Sequence, residues 1–126
     1  MSTIHASNFG DGTNTVESGY VLNGSFKAWI SLLANSGTPS ISDSLNISSI
    51  TDNQTGSTEN NVTNSMSATT YGVLIGPGLN GTSDFTSQST TCWNNALVGS
   101  WRVNMAGATG TDDDRDYGSS LLGDLA

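Results

Sequence analysis

Few residues in this 126-residue chain have the type and spacing for bond chemistry. There is one histidine, His5, and one cysteine, Cys92. A Ser-His-Asp or Cys-His nucleophile needs its imidazole held in a cleft, and His5 lies in a stretch with no hydrophobic period. One His and one Cys do not complete a tetrahedral zinc site. Neither a GxxxxGK[ST] phosphate loop nor a G-x-S-x-G elbow occurs. Asp43 and Asp52 are a formal glycosidase-like carboxylate pair, but eleven acidic residues offer many such pairs. Asp112-Asp113-Asp114-Arg115-Asp116 presents hard oxygen ligands of the kind calcium takes. It lacks the alternating ligands and turn glycine of an EF-hand loop, and reads as a solvated acidic loop. No catalytic, cofactor-binding or metal-binding residue is expected, and Cys92 reads as a small, half-buried strand residue.

Binding chemistry is constrained by charge. Three Lys+Arg against eleven Asp+Glu give a net charge of −8, so the basic footprint that nucleic acid or an anionic membrane requires is missing. A neutral or basic partner is favoured instead. Trp29, Trp93 and Trp101 could form a sugar-stacking platform; core or subunit-interface packing is the plainer use. Five Asn-x-Ser/Thr sequons begin at Asn23, Asn46, Asn53, Asn61 and Asn80. With neither a basic start nor an apolar signal run after Met1, they read as a by-product of Asn, Ser and Thr richness. No stretch approaches the apolar length of a membrane span, and synthesis and folding in a cytoplasm are expected.

The elements that must position these residues are strands. Ser, Thr, Asn and Gly make up about half the chain, and only 11% is charged, which disfavours helices with solvated faces. Tyr20-Val21-Leu22 and Ser25 to Leu33 flank Asn23-Gly24, a hairpin signal. In the second run Phe26, Ala28, Ile30 and Leu32 share one face. Lys27, Trp29, Ser31 and Leu33 share the other, so both faces need cover. Ile41, Asp43, Leu45 and Ile47 alternate with hydroxyl-rich positions, as in a half-buried strand. A loop at Asp52 to Gly56 leads to a polar return strand, Thr58 to Met66, expected at an edge. Tyr71 to Ile75, Phe85 to Trp93 and Ala96 to Met105 complete the set, with Leu97, Trp101, Val103 and Met105 on one face of the last. Short strands between Gly/Asn/Pro turns predict an all-β fold. It is an antiparallel β-sandwich, jelly-roll-like, of about seven or eight strands with extended N- and C-terminal arms. Residues 1–18 form the N-terminal arm, 19–106 the sandwich and 107–126 an acidic and apolar tail. Core candidates are Phe26, Ala28, Ile30, Leu45, Ile47, Val73, Ile75 and Val103.

One stretch has a more specific pattern. Lys27-Ala28-Trp29 is followed by Ile41-Ser42-Asp43-Ser44-Leu45-Asn46-Ile47-Ser48-Ser49-Ile50-Thr51-Asp52-Asn53-Gln54-Thr55-Gly56, then by Met66 and Tyr71-Gly72-Val73. Residues 25–75 thereby resemble a module of tailed-bacteriophage (cyanophage-like) structural proteins. That module reads approximately K-A-W, I-x-D-S-x-N-[IV]-S-S-[IV]-T-D-N-x-T-G and M-x-x-x-x-Y-x-V. The strand after the glycine has an alternating aromatic and aliphatic face in that family, whereas here the face is Thr58, Asn60 and Val62. The resemblance implies a virion surface module, of the kind found in distal domains of tail fibres and tailspikes and in capsid cement proteins.

Two functions follow as expectations. The first is a capsid decoration (cement) protein on the outer capsid surface of the virion, non-enzymatic and without cofactor. Its expected partner is the phage major capsid protein. The second is a distal receptor-binding domain that takes a host surface glycan. A fibre subunit needs an attachment domain and shaft before its tip, and the module begins within about 25 residues of Met1, which favours cement. The resemblance also implies a homotrimer. Trp29 and Leu33, apolar bulk on the strand face opposite the core, are the candidate subunit-interface residues. Ile4, Phe9, Leu121, Leu122 and Leu125 are candidate assembly anchors in the terminal segments.

Overall fold

The computed structural model describes residues 6–34, 37–77, 88–107, 114 and 116–126. The chain is an all-β antiparallel sandwich preceded by a small arm. The arm consists of β1 (Asn8–Gly10), β2 (Thr15–Glu17) and a short helix, α1 (Ser18–Gly24). The sandwich strands are β3 (Phe26–Leu33), β4 (Ser40–Leu45), β5 (Ile47–Gln54), β6 (Ser57–Val62), β7 (Gly72–Pro77), β8 (Gln88–Leu97), β9 (Ser100–Gly107) and β10 (Tyr117–Leu122). They form two four-stranded sheets, ordered β4-β3-β10-β7 and β5-β6-β9-β8. The hairpins β3-β4, β5-β6 and β8-β9 each stay within one sheet.

The core lies between the sheets. Ala28, Ile30 and Leu32 of β3 and Tyr117 and Leu121 of β10 meet Trp101, Val103 and Met105 of β9, all buried. Hydrogen bonds between side chains also cross the core. The Trp101 indole Nε1 donates to Ser119 Oγ at 2.9 Å, and the Tyr117 hydroxyl donates to Asn60 Oδ1 at 3.0 Å. Ile47, Val73 and Ile75 pack half-buried against this cluster.

Several expectations are corrected. Phe26 and Leu45 are about half exposed, at 51% and 50%, rather than in the core. A register shift between Leu121 and Leu122 sets Phe26 opposite Leu122. Cross-strand partners share a face, so that bulge moves Phe26 to the outer side. Leu45 pairs with Trp29, also outward. The run Ile41 to Ile47 is not one strand, because Asn46 takes a left-handed φ of 57° and turns the chain from β4 into β5 of the other sheet. Asn46 locks this corner. Its Nδ2 donates to the Lys27 and Asn64 carbonyls at 3.0 and 3.1 Å, and its Oδ1 accepts from the Asn64 amide at 2.8 Å.

The polar strand β6 is interior, flanked by β5 and β9. Ser57, Thr58 and Asn60 are buried; Ser57 Oγ donates to Asn104 of the neighbouring strand, and Asn60 Oδ1 accepts the Tyr117 hydroxyl from the facing sheet. Asn23-Gly24 closes a helix instead of a hairpin. The Ser25 hydroxyl (3.1 Å) and the Lys27 ammonium donate to the Leu22 carbonyl, satisfying a helix C-terminus where positive charge is favourable. The Ala96 to Met105 segment is broken by a turn at Val98–Gly99, which leaves Leu97 47% exposed.

The largest correction concerns the tail. Residues 117–122 are an interior strand, hydrogen-bonded to both β3 and β7, with Tyr117, Ser119 and Leu121 alternating inward. The chain end stays attached: the Ser67 amide donates to the Asp124 carbonyl and the Ala126 amide to the Ser65 carbonyl, both at 2.9 Å.

Candidate interaction surface

The two outer faces of the sandwich differ in chemistry. On the β5-β6-β9-β8 sheet, Glu59 and Arg102 are cross-strand partners and form an ion pair at 3.0 Å. Ser100 Oγ donates to the same carboxylate at 2.6 Å. The Ser100 hydroxyl, then Arg102, hold the Glu59 carboxyl below the usual carboxylate range. Ser57 Oγ donates to Asn104 Oδ1 at 2.7 Å and Asn61 Nδ2 to Thr51 Oγ1 at 3.3 Å. This face is a polar network whose groups are largely engaged with one another.

The outer face of the β4-β3-β10-β7 sheet is apolar. The strand registers align Leu45, Trp29, Ser120 and Leu74 in one row across all four strands. The next row is Asp43, Ser31, Gly118 and Gly76. Phe26 and Leu122 form a further pair beside Trp29. Leu74 is 52% exposed; Trp29 and Leu122 are half-buried. Phe26, Trp29, Ser31, Gly118 and Ser120 line a shallow trough of about 450 Å³. Small residues at its centre let another surface approach the backbone closely. Of the expected interface residues, Trp29 lies within this face and Leu33 is exposed at the end of its strand. Phe26, Leu45 and Leu74 belong to the face and were not expected there. The signal for Leu74 was the unbroken apolar run Tyr71 to Ile75, which has no polar position to give an outer side.

The candidate anchors divide. Phe9 is 47% exposed on the β1-β2 hairpin. Leu121 is buried in the chain's own core, a correction to its role as an anchor for neighbours. Leu122 joins the apolar outer face, and Leu125 is exposed opposite Met66. Ile4 and His5 lie outside the described residues, as do Asp112, Asp113 and Arg115.

The acidic segment is not simply solvated. Asp114 Oδ1 accepts the Gly56 amide at 2.7 Å, and buried Asp116 Oδ1 accepts the Ala34 amide at 2.8 Å. Both carboxylates tie the strand leading into β10 to the rest of the sandwich. Asp43 and Asp52 are exposed on strands of different sheets and make no paired site. Trp29 lies on the outer face of the β4-β3-β10-β7 sheet and Trp101, on β9 of the other sheet, is buried in the core, so they form no common platform; the side chains of Trp93 and Cys92 lie outside the described residues.

No protein-family model, curated protein or solved structure matches this chain.

Proposed function

We propose that this protein is a capsid decoration (cement) protein, acting as a homotrimer that binds the outer surface of a tailed-phage capsid and reinforces it without catalysis. The observation that carries this reading is the contrast between the two outer faces. Among the described residues, one is a polar network largely engaged with itself and the other a mostly uncharged apolar row. Interfaces are depleted of charge at their cores, and apolar patches of this kind mark contact surfaces. The resemblance of residues 25–75 to a virion surface module supplies the context. A protein that binds only the assembled shell stabilises it by mass action, and many copies multiply the effect.

The competing reading, a receptor-binding tip for a host glycan, draws on the same trough. Trp29 and Phe26 offer aromatic surface to a sugar ring, with the Ser31 and Ser120 hydroxyls beside them. Cryo-electron microscopy of virions separates the two. Density for this chain at local three-fold junctions over the whole shell is expected. Density confined to fibre tips, with tight binding to host lipopolysaccharide, overturns the cement reading.

A further inference from the structure

We infer that copies of this chain assemble head to tail, the N-terminal arm of one covering the apolar sheet face of the next. The inference rests on the homotrimer proposed above and adds the mode of contact. Its starting point is that the chain carries two unpartnered apolar surfaces. The first is the outer row of Leu45, Trp29 and Leu74 with Phe26 beside it. The second is the arm, where Phe9 (47%), Val16 (41%), Val21 (44%) and Leu22 (59%) are all exposed.

The arm needs a partner on physical grounds. A two-stranded hairpin is marginal by itself in water, and a seven-residue helix is far below the length for independent stability. The helix N-terminus has no side-chain cap. Among the described residues, β1 and β2 meet each other and α1 but share no extensive contact with the sandwich. Phe9 and Val16 are direct cross-strand partners, so the hairpin presents them together on one side.

Coverage of both apolar surfaces distinguishes this arrangement from two sheet faces stacked on each other, and the arm is long enough to supply it. Four strands about 4.8 Å apart, each about six residues long at about 3.3 Å per residue, make a face about 20 Å square, or about 400 Å² in projection. A helix of this length spans about 10 Å, and with the hairpin the arm reaches about 20 Å, enough to cross that face. Stacked faces bury about 400 Å² per copy and leave every arm uncovered. In a closed head-to-tail ring each arm-to-face junction also buries about 400 Å² per partner, half that of a standard stable interface, but each copy takes part in two junctions, so both its face and its arm are covered and ring closure makes the junctions support one another. Such contacts between different patches are heterologous, and they close into rings when the rotation allows.

Complementation between two variants tests this. Phe9→Asp/Leu22→Asp disables the arm, and Leu45→Asp/Leu74→Asp disables the face; all four positions are at least 47% exposed, and circular dichroism verifies folding. Should the arm double variant not fold, Leu22→Asp alone serves. Wild type is expected to sediment at three times the 13.0 kDa chain mass, and each variant alone at the monomer mass. Their equimolar mixture has one intact arm-to-face junction without ring closure, and is expected to double in mass at high protein concentration, where one small junction suffices. An arm variant that assembles by itself, or a mixture that remains monomeric, overturns the inference. A monomeric wild type that still binds capsids would remove the ring and the trimer but leave the cement role. A ring that does not bind capsids would leave the inference and remove that role.

Discussion

Replacing Tyr117 with phenylalanine deletes one oxygen from the centre of the sandwich. That hydroxyl is buried and donates to Asn60 Oδ1 at 3.0 Å. Asn60 is 0% exposed and its Nδ2 has no hydrogen-bond partner among the described residues. Tyr117→Phe therefore leaves a buried amide with no partner for its oxygen as well as its nitrogen. An orphaned buried acceptor costs about 1–3 kcal/mol, which for a domain of this size lowers Tm by roughly 3–10 °C. Adding Asn60→Val removes the stranded amide altogether. Replacing both members of a buried polar pair by apolar groups of similar shape is nearly neutral or stabilising, so the double variant is expected to regain most or all of the loss. Urea unfolding followed by tryptophan fluorescence, at equal protein concentration because assembly adds to apparent stability, measures both variants. An unchanged slope with urea certifies that the unfolding reaction is the same. A double variant less stable than Tyr117→Phe alone refutes the reasoning, because it would mean that Asn60 stabilises the core by packing rather than being tolerated through its hydrogen bond.

Four further outcomes follow from the same structure. Burial raises the pKa of Tyr117, and also that of Tyr71, so the folded state retains phenolic protons that the unfolded chain releases near pH 10. Stability is expected to fall as pH rises above about 10, and Tyr117→Phe should flatten that fall in alkaline thermal melts. The depressed Glu59 carboxyl has the opposite sign: its contribution is present above the ordinary glutamate pKa and lost as pH falls through the lower folded value. Glu59→Gln is expected to weaken the dependence of Tm on pH in the acidic range. Gly56 sits in the β5-β6 turn at a φ of +73°, where an L-residue costs about 1–2 kcal/mol; Gly56→Ala is expected to lower the urea midpoint, and an unchanged midpoint contradicts the strain argument. Truncation after Asp116 removes an interior strand and its hydrogen bonds to β3 and β7, so the shortened chain is expected to lose its β-sheet circular dichroism signal.

The sequence by itself determined the fold class. Hydroxyl and amide richness, scarce Lys and Glu, and period-two runs such as Ala28-x-Ile30-x-Leu32 leave strands as the only regular structure that can bury enough apolar surface. That face of β3 and the Trp101, Val103 and Met105 face of β9 are inward as the alternation requires, and Trp29 lies outward. Tertiary structure alone decided the rest, because alternation holds only within an uninterrupted ladder. One left-handed residue, Asn46, transfers the chain between sheets, and one bulge opposite Phe26 inverts the end of β3, so Leu45 and Phe26 lie outside. Asparagine is a residue type that tolerates the left-handed region, but many asparagines in this chain do not adopt it, and the bulge leaves no local trace in residue type. The polar strand β6 is interior because Thr58 and Asn60 meet Tyr117, whose own strand lies near the other end of the chain. The Tyr117-x-Ser119-x-Leu121 alternation was present but too short to identify a strand without β3 and β7 on either side. Pairing across such sequence distances depends on which backbones become neighbours, and that is fixed by the packed sandwich rather than by any window of sequence.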